Sequence, residues 1–147
     1  PNRRLIYDRI HRAIKRANRN QFGFALCLLD LNDFKRINDQ FGHQVGDLVL
    51  QELAKRFDSV TRETDSVGRF GGDEFIIVLE EVTNDSELAS YIARLDHRIG
   101  LPLQVGEQIF NMTFSHGTAF YPDDSREVDT LISIADKRMY EQKKSQK

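Results

Sequence analysis

The sequence predicts a mixed α/β (α+β) domain in which a central, mostly antiparallel sheet is flanked by helices. Three observations carry that prediction. Apolar residues recur at helical spacing in four separate stretches. Continuous apolar runs of strand length lie between them. Two pairs of these runs are joined by two-residue connections, Gly71-Gly72 and Gly106-Glu107, which serve antiparallel neighbours.

From Asn2 to about Asn18, Leu5, Ile6, Ile10, Ala13, Ile14 and Ala17 form one apolar face, with Arg and Lys opposite, and predict an amphipathic helix. Residues 22–29, FGFALCLL, are apolar without alternation, as a strand covered on both faces requires, and Asp30 stands at its C-terminal end. A polar segment, NDFKRINDQFGHQVGD, leads to a second helix near 47–60 through Leu48, Val49, Leu53, Ala54, Phe57 and Val60. SVGRF and EFIIVL then read as a hairpin whose glycines suit the positive φ of a primed turn. A third helix fits 85–99, with Asp85 or Ser86 available as N-cap. Residues 103–105 and 108–120 read as a further strand pair, and a last helix spans about 127–143. The order α β α β β α β β α contains no repeat or linker, so residues 1–147 are expected to form one domain with helices packed on one sheet.

A chain of 147 residues, 39% apolar and 30% charged, suits a folded domain able to bury roughly 70% of its unfolded surface. The net charge of −2 supplies no basic field for a long nucleic acid, while a local phosphate site stays open. The single cysteine, Cys27, lies inside an apolar run and reads as core, which excludes a disulfide scaffold and favours a reducing, cytoplasmic compartment. No run approaches the roughly 20 apolar residues of a membrane span, so membrane attachment is expected only outside this chain.

The chemistry concentrates in acids. Asp73 and Glu74 follow the glycines directly, where acids are common in turns and need no task. Asp30 is a third acid at a strand end. If that strand lies beside the hairpin, three carboxylates converge, and such a cluster is costly without a cation. Oxygen-only ligation points to magnesium or manganese together with nucleotide phosphates, and two metals can activate a hydroxyl and steady a leaving group. A turn without side chains also lets a bulky anion approach the backbone.

RFGGDEF resembles the signature of the GGDEF domains, the diguanylate cyclases of bacterial signalling, and the resemblance runs along the chain. PNRR is similar to the end of the family's opening motif, DLNDFKRINDQFGHQVGD to its metal and guanine segment, SHGTA to its SIGxA strand and ADKRMYEQK to its closing helix. The resemblance implies a palm-like sheet that condenses two GTP into cyclic di-GMP and two pyrophosphates, with each subunit of a homodimer holding one GTP. It implies metal ligation of two Mg2+ or Mn2+ by Asp30, the Leu31 carbonyl, Asp73 and Glu74, with Asp73 also helping to deprotonate the 3′-hydroxyl. Lys35 and Lys143 match its phosphate lysines, Asn38 and Asp47 its guanine-reading positions, and Phe34 and Leu50 the walls of the base pocket, with Gly71 and Gly72 beside the nucleotide. An ionised Asp accepts from the N1 and N2 hydrogens that adenine lacks, so GTP is expected over ATP.

Each of these residues has a plainer reading: Asp47 as a helix N-cap, Phe34 and Leu50 as core, Lys143 as surface lysine. Arg62 and Asp65 in RETD resemble the family's inhibitory RxxD site for cyclic di-GMP, although RxxD alone is a common pattern. His11, His43, His97 and His116 show no ligand spacing. Three departures stand out: Asn32 where many relatives have a second Asp, His116 in place of an aliphatic, and Lys147 where the family carries a phosphate-contacting arginine. The chain also lacks the residues that normally precede NRR, so it is expected to be cut from a longer protein with an attached sensor or regulatory domain. The alternative function is a non-catalytic module that senses GTP or cyclic di-GMP for such a domain.

Overall fold

The computed structural model describes residues 3–145, and its elements follow from where apolar side chains must be covered. In chain order they are α1 (Arg3–Asn20), β1 (Phe24–Leu31), α2 (Phe34–Phe41), α3 (His43–Ser59), β2 (Ser66–Arg69), β3 (Glu74–Glu80), α4 (Asp85–Ile99), β4 (Leu103–Val105), β5 (Gln108–Phe110), β6 (Phe114–Tyr121) and α5 (Val128–Ser145). All eight residues of β1 are buried because it is a central strand with both faces covered. Ala25, Cys27, Leu29 and Leu31 join one core with α2, α3 and α4. Phe24, Leu26 and Leu28 join another with α1 and α5. The central sheet runs β2-β3-β1-β6, and every neighbouring pair is antiparallel, as the sequence predicts.

Cys27 is core: its Sγ lies 3.0 Å from Thr118 Oγ1, and burial pushes the thiol up to about 12, which leaves it inert. Among the described residues no helix is long and apolar enough to cross a membrane.

Five local expectations need correcting. The polar segment after Asp30 contains a helix, α2, and α3 begins at His43 instead of near Asp47. Phe34, Ile37 and Phe41 supply its apolar stripe, diluted by the charged residues between them. Asp47 is therefore no N-cap; that position belongs to Gly42, at φ 93°. The expected strand at 108–120 breaks into β5 and β6, and β4-β5 form a separate two-stranded sheet. Only one of the two anticipated hairpins thus belongs to the central sheet.

The Gly71-Gly72 connection is not a primed two-residue turn. Arg69 pairs with Phe75, the chain between β2 and β3 covers residues 70–73, and neither glycine has φ in the left-handed region. The Glu74 carbonyl instead accepts from the N–H of Phe70 at 2.8 Å and of Gly71 at 3.4 Å. Finally, α4 is capped by Asn84, whose Oδ1 accepts from Glu87 N–H at 2.9 Å while Glu87 Oε1 accepts from Asn84 Nδ2 at 2.6 Å, so neither Asp85 nor Ser86 holds that position. Asn2, expected to open α1, and Lys147 lie outside the described residues.

Two glycines set the distances between layers. A Cβ on Gly117 would stand 2.1 Å from Ala135 O and 2.2 Å from Met139 N, so α5 lies directly against β6 there. A Cβ on Gly46 would stand 1.8 Å from Asn38 Oδ1 and 3.3 Å from the Phe34 ring, so α2 and α3 also meet closely.

Candidate active site

Strand register brings the three acids together. Asp30, the penultimate residue of β1, lies directly opposite Glu74 on β3, and the Leu31 N–H donates to the Asp73 carbonyl at 3.1 Å. Asp30 is only 8% exposed. Its Oδ2 accepts from the Lys143 ammonium, which reaches over from α5, while its buried Oδ1 has no hydrogen-bond partner. Asn32 does not join the acids. Its side-chain amide donates to Thr113 Oγ1 at 2.9 Å and its carbonyl accepts from Ser115 Oγ at 2.9 Å, tying the end of β1 to the start of β6.

The electrostatics record the crowding. Burial, then the Asp30 charge, then the hydrogen bond that its acid form makes to Asp30, push the Asp73 carboxyl above its ordinary range. Burial and the charges of Asp30, Asp136 and Asp73 push Glu74 the same way, against a smaller opposite pull from Lys143. Both shifts favour the protonated acid in the folded state. The stability this corner contributes is therefore present below the ordinary carboxylate pKa and is lost as pH rises through the raised values. Removing the Asp73 charge by Asp73→Asn is expected to raise the melting temperature of metal-free protein by about 2 °C at pH 7, the effect being small because the group is only half-buried and solvent screens it. Near pH 4 the two proteins should melt together. Circular dichroism melts in chelator check this, and an equal gap at both pH values would exclude charge repulsion as the cause.

These residues fit a divalent cation. Asp30 offers an orphaned buried oxygen, and it shares one end of the sheet with Asp73 and Glu74, both of which are raised in part by the Asp30 charge. Among the described residues no three carboxylates yet stand as a ligand group, and the Lys143 ammonium serves as the Asp30 counter-charge.

A cleft of about 800 Å3 opens beside the acids, lined in part by Asp30, Leu31, Phe34, Lys35, Asp73 and Lys143. Lys35 is exposed in the first turn of α2, whose N-cap residue Asp33 sits in the left-handed region at φ 61° with no side-chain cap bond. Phe34 and Leu50, 6% and 5% exposed, belong to the core cluster, so both of their readings hold at once. Asn38 is half-buried against Gly46, with exposed Asp47 next along α3. Asp47 and Leu50 line a different groove, of about 460 Å3, with Arg69 and Phe75. Gly46→Ala is expected to displace Asn38 and, if Asn38 reads the base, to raise the KM for GTP at least tenfold with a smaller change in kcat, measurable by steady-state kinetics.

Sequence reasoning missed three residues here. Asp96 on α4 lines the cleft, Asp136 on α5 acts on Glu74, and Arg69 grips the glycine turn. Asp96 and Asp136 look like ordinary solvated helix residues in the sequence; Arg69 lies inside RFGGDEF and had the better signal.

Arg62 and Asp65 form a closed turn. Both oxygens of Asp65 are engaged: Oδ1 accepts from Glu80 N–H at 3.0 Å, and Oδ2 from Arg62 Nε at 3.2 Å. Arg62 Nη2 also donates to the Glu80 carbonyl at 2.8 Å. The Arg62 side chain is 59% exposed and that of Asp65 2%, so the arginine is the part of this pair that a ligand can reach, in a groove of about 540 Å3 beside α4. The four histidines join no metal-ligating group among the described residues, and burial lowers His116.

Comparison with known proteins places this geometry. The family model described as "Diguanylate cyclase, GGDEF domain" matches residues 1–147, and the chain belongs to the GGDEF family. It is 38% identical over 97% of its length to the bifunctional diguanylate cyclase/cyclic di-GMP phosphodiesterase MucR of Pseudomonas aeruginosa, of which it spans 21%. It is 37% identical over 95% of its length to the diguanylate cyclase DosC of Escherichia coli, spanning 30% of that protein. Among solved structures, the GGDEF domain of Pseudomonas aeruginosa TpbB superposes with a TM-score of 0.93 at 31% identity, covering 99% of this chain and 91% of that one. The GGDEF domain of DgcB from Caulobacter crescentus, solved in complex with c-di-GMP, gives 0.86 at 26% identity over 98% and 85%.

Proposed function

We propose that this chain is a diguanylate cyclase domain, which condenses two GTP into cyclic di-GMP and two pyrophosphates across a homodimer. The observation that carries the reading is the pairing of Asp30 with Glu74 across β1 and β3, with Asp73 beside them and one Asp30 oxygen left without a donor. The Asp30, Asp73 and Glu74 carboxylates and the Leu31 carbonyl would hold magnesium or manganese, two ions on the family's pattern. Bound there, the ions neutralise phosphate charge and make the 3′-hydroxyl more acidic.

The chain's own groups do the rest. Asp73 takes the proton as the 3′-oxygen forms its bond to the α-phosphorus. The bond from that phosphorus to the bridging oxygen breaks, and pyrophosphate leaves. Lys35, at the uncapped start of α2, and Lys143, released from Asp30, offset the charge that builds on it. Asn38 and Asp47 read guanine. Arg62 offers its exposed guanidinium to a phosphate of cyclic di-GMP, giving product inhibition. Such a domain works in a bacterial cytoplasm, within a longer protein whose other domains control dimerisation. The chain spans about a fifth of the first relatives it matches.

The test is incubation with GTP and magnesium, with and without a dimerising fusion, and chromatography for cyclic di-GMP. Product is expected with enforced dimerisation and little without it. Tight GTP binding with no product from folded, forced dimer would instead support a sensing module, and ATP turnover would indicate a less selective cyclase.

A further inference from the structure

The buried residues of α5 are Val128, Leu131, Ala135 and Met139, and they end one turn short of Lys143. Apolar burial therefore holds the body of the helix, and its final turn needs another anchor, because helix ends without one fray. Polar rungs along the edge of the sheet supply it. β6 is an edge strand, so the N–H and C=O groups of every second residue point away from β1. Asp124 Oδ2 accepts from Phe120 N–H at 2.7 Å, Arg138 Nη1 donates to Thr118 O at 2.7 Å, and Gln142 Oε1 accepts from His116 N–H at 2.5 Å. Arg138 also forks onto Asp124, Nη1 to Oδ2 at 2.8 Å and Nη2 to Oδ1 at 3.0 Å. The spacing suits the rungs, since four helical residues rise about 6 Å and two strand residues about 6.7 Å. The last rung stands beside the acids. Gln142 directly precedes Lys143 on α5, and His116 directly follows Ser115, which pairs with Asp30 across β6 and β1.

We propose that Gln142 is a positioning residue for Lys143: by accepting the His116 N–H it pins the last turn of α5 to the sheet and holds the Lys143 ammonium at the cleft beside the acids. The inference rests on the cyclase reading and adds a residue to it. A lysine ammonium is a point charge on a flexible four-carbon stem, so where it can reach is set by where its backbone is held. The Lys143 side chain is a third exposed and lines the cleft with Asp30, Lys35 and Asp73. Its contact with Asp30 cannot be the anchor during turnover, because in the cyclase reading the ammonium leaves Asp30 for the departing pyrophosphate. The bond from His116 N–H to Gln142 uses groups that neither cation nor nucleotide requires, so it holds the turn in place while Lys143 changes partner.

The test compares wild type, Gln142→Met, Gln142→Glu, Lys143→Met and the double variant Gln142→Met with Lys143→Met, all as forced dimers. Methionine matches glutamine in length and helix propensity but lacks its oxygen, whereas glutamate keeps an acceptor. Lys143→Met is expected to lower kcat about 100-fold, as loss of an oriented donor to a developing anion does. Gln142→Met should lower kcat about tenfold by misplacing that donor, with the KM for GTP within about threefold and the melting temperature within about 2 °C of wild type. Gln142→Glu should keep kcat within about threefold of wild type. The double variant should fall within about twofold of Lys143→Met, because Gln142 acts only through Lys143. Losses that multiply in the double variant overturn the inference. So does Gln142→Met with more than half of wild-type turnover, or Gln142→Glu as slow as Gln142→Met. Amide hydrogen exchange without nucleotide supplies a second readout: the His116 N–H should exchange at least about tenfold faster in Gln142→Met than in wild type. Equal rates would overturn the inference alone. Lys143→Met with more than half of wild-type turnover takes away the group to be positioned, so the inference falls while the cyclase reading stands. Wild type that makes no cyclic di-GMP removes both.

Discussion

Asp30→Asn is expected to lower cyclic di-GMP production at least about 1000-fold while leaving the fold intact. Asp30 is the one acid of the site that is almost wholly buried, and its Oδ1 has no donor within the protein. An amide there keeps the shape and removes the charge on which a cation depends, and it leaves Lys143, a third exposed, free to turn to solvent. The measurement is turnover in a forced dimer, alongside the rise in melting temperature caused by magnesium and GTP. That rise should largely vanish in the variant. More than a tenth of wild-type activity in Asp30→Asn would remove Asp30 from the metal site.

Gly117→Ala should be the most damaging single methyl in the chain. The added Cβ meets backbone atoms of α5, Ala135 O and Met139 N, at distances no rotamer change can relieve. Either α5 moves off β6 or β6 bends, at a cost of about 3–5 kcal/mol, which lowers the melting temperature by about 10 °C. Because α5 also carries Lys143 and Asp136 to the acids, the surviving folded fraction should turn over GTP more slowly as well. Urea unfolding and turnover corrected for folded protein separate the two effects. A stability loss below about 1 kcal/mol would show that α5 and β6 are not held in this contact.

Part of this could be read along the chain because the signal was local. The unbroken apolar run of β1 announced a strand covered on both faces, and Asp30 at its end was visible as an acid that the sheet would hold in place. The short helix α2 was hidden, since three apolar residues in eight make a weak stripe and tertiary contact with α3 through Gly46 supplies the rest. The shape of the glycine turn was misread for a related reason: side-chain donors from Arg69 and the Glu74 carbonyl decide it, and neither is a property of the dipeptide Gly71-Gly72. RETD shows the same limit, because Asp65 wholly and Arg62 in part are spent on holding their own turn to the end of β3.

The sequence by itself determined the types of the longer elements, the central strand and the residue types gathered at its end, because apolar periodicity and unbroken apolar runs act over a few residues and need no partner. Only the tertiary structure decided that Asp30 faces Glu74, that Lys143 crosses from α5 to Asp30, and that Arg69 turns the glycine carbonyls. Those are encounters between groups distant along the chain or folded back on it, set by strand register and by how closely two backbones can approach.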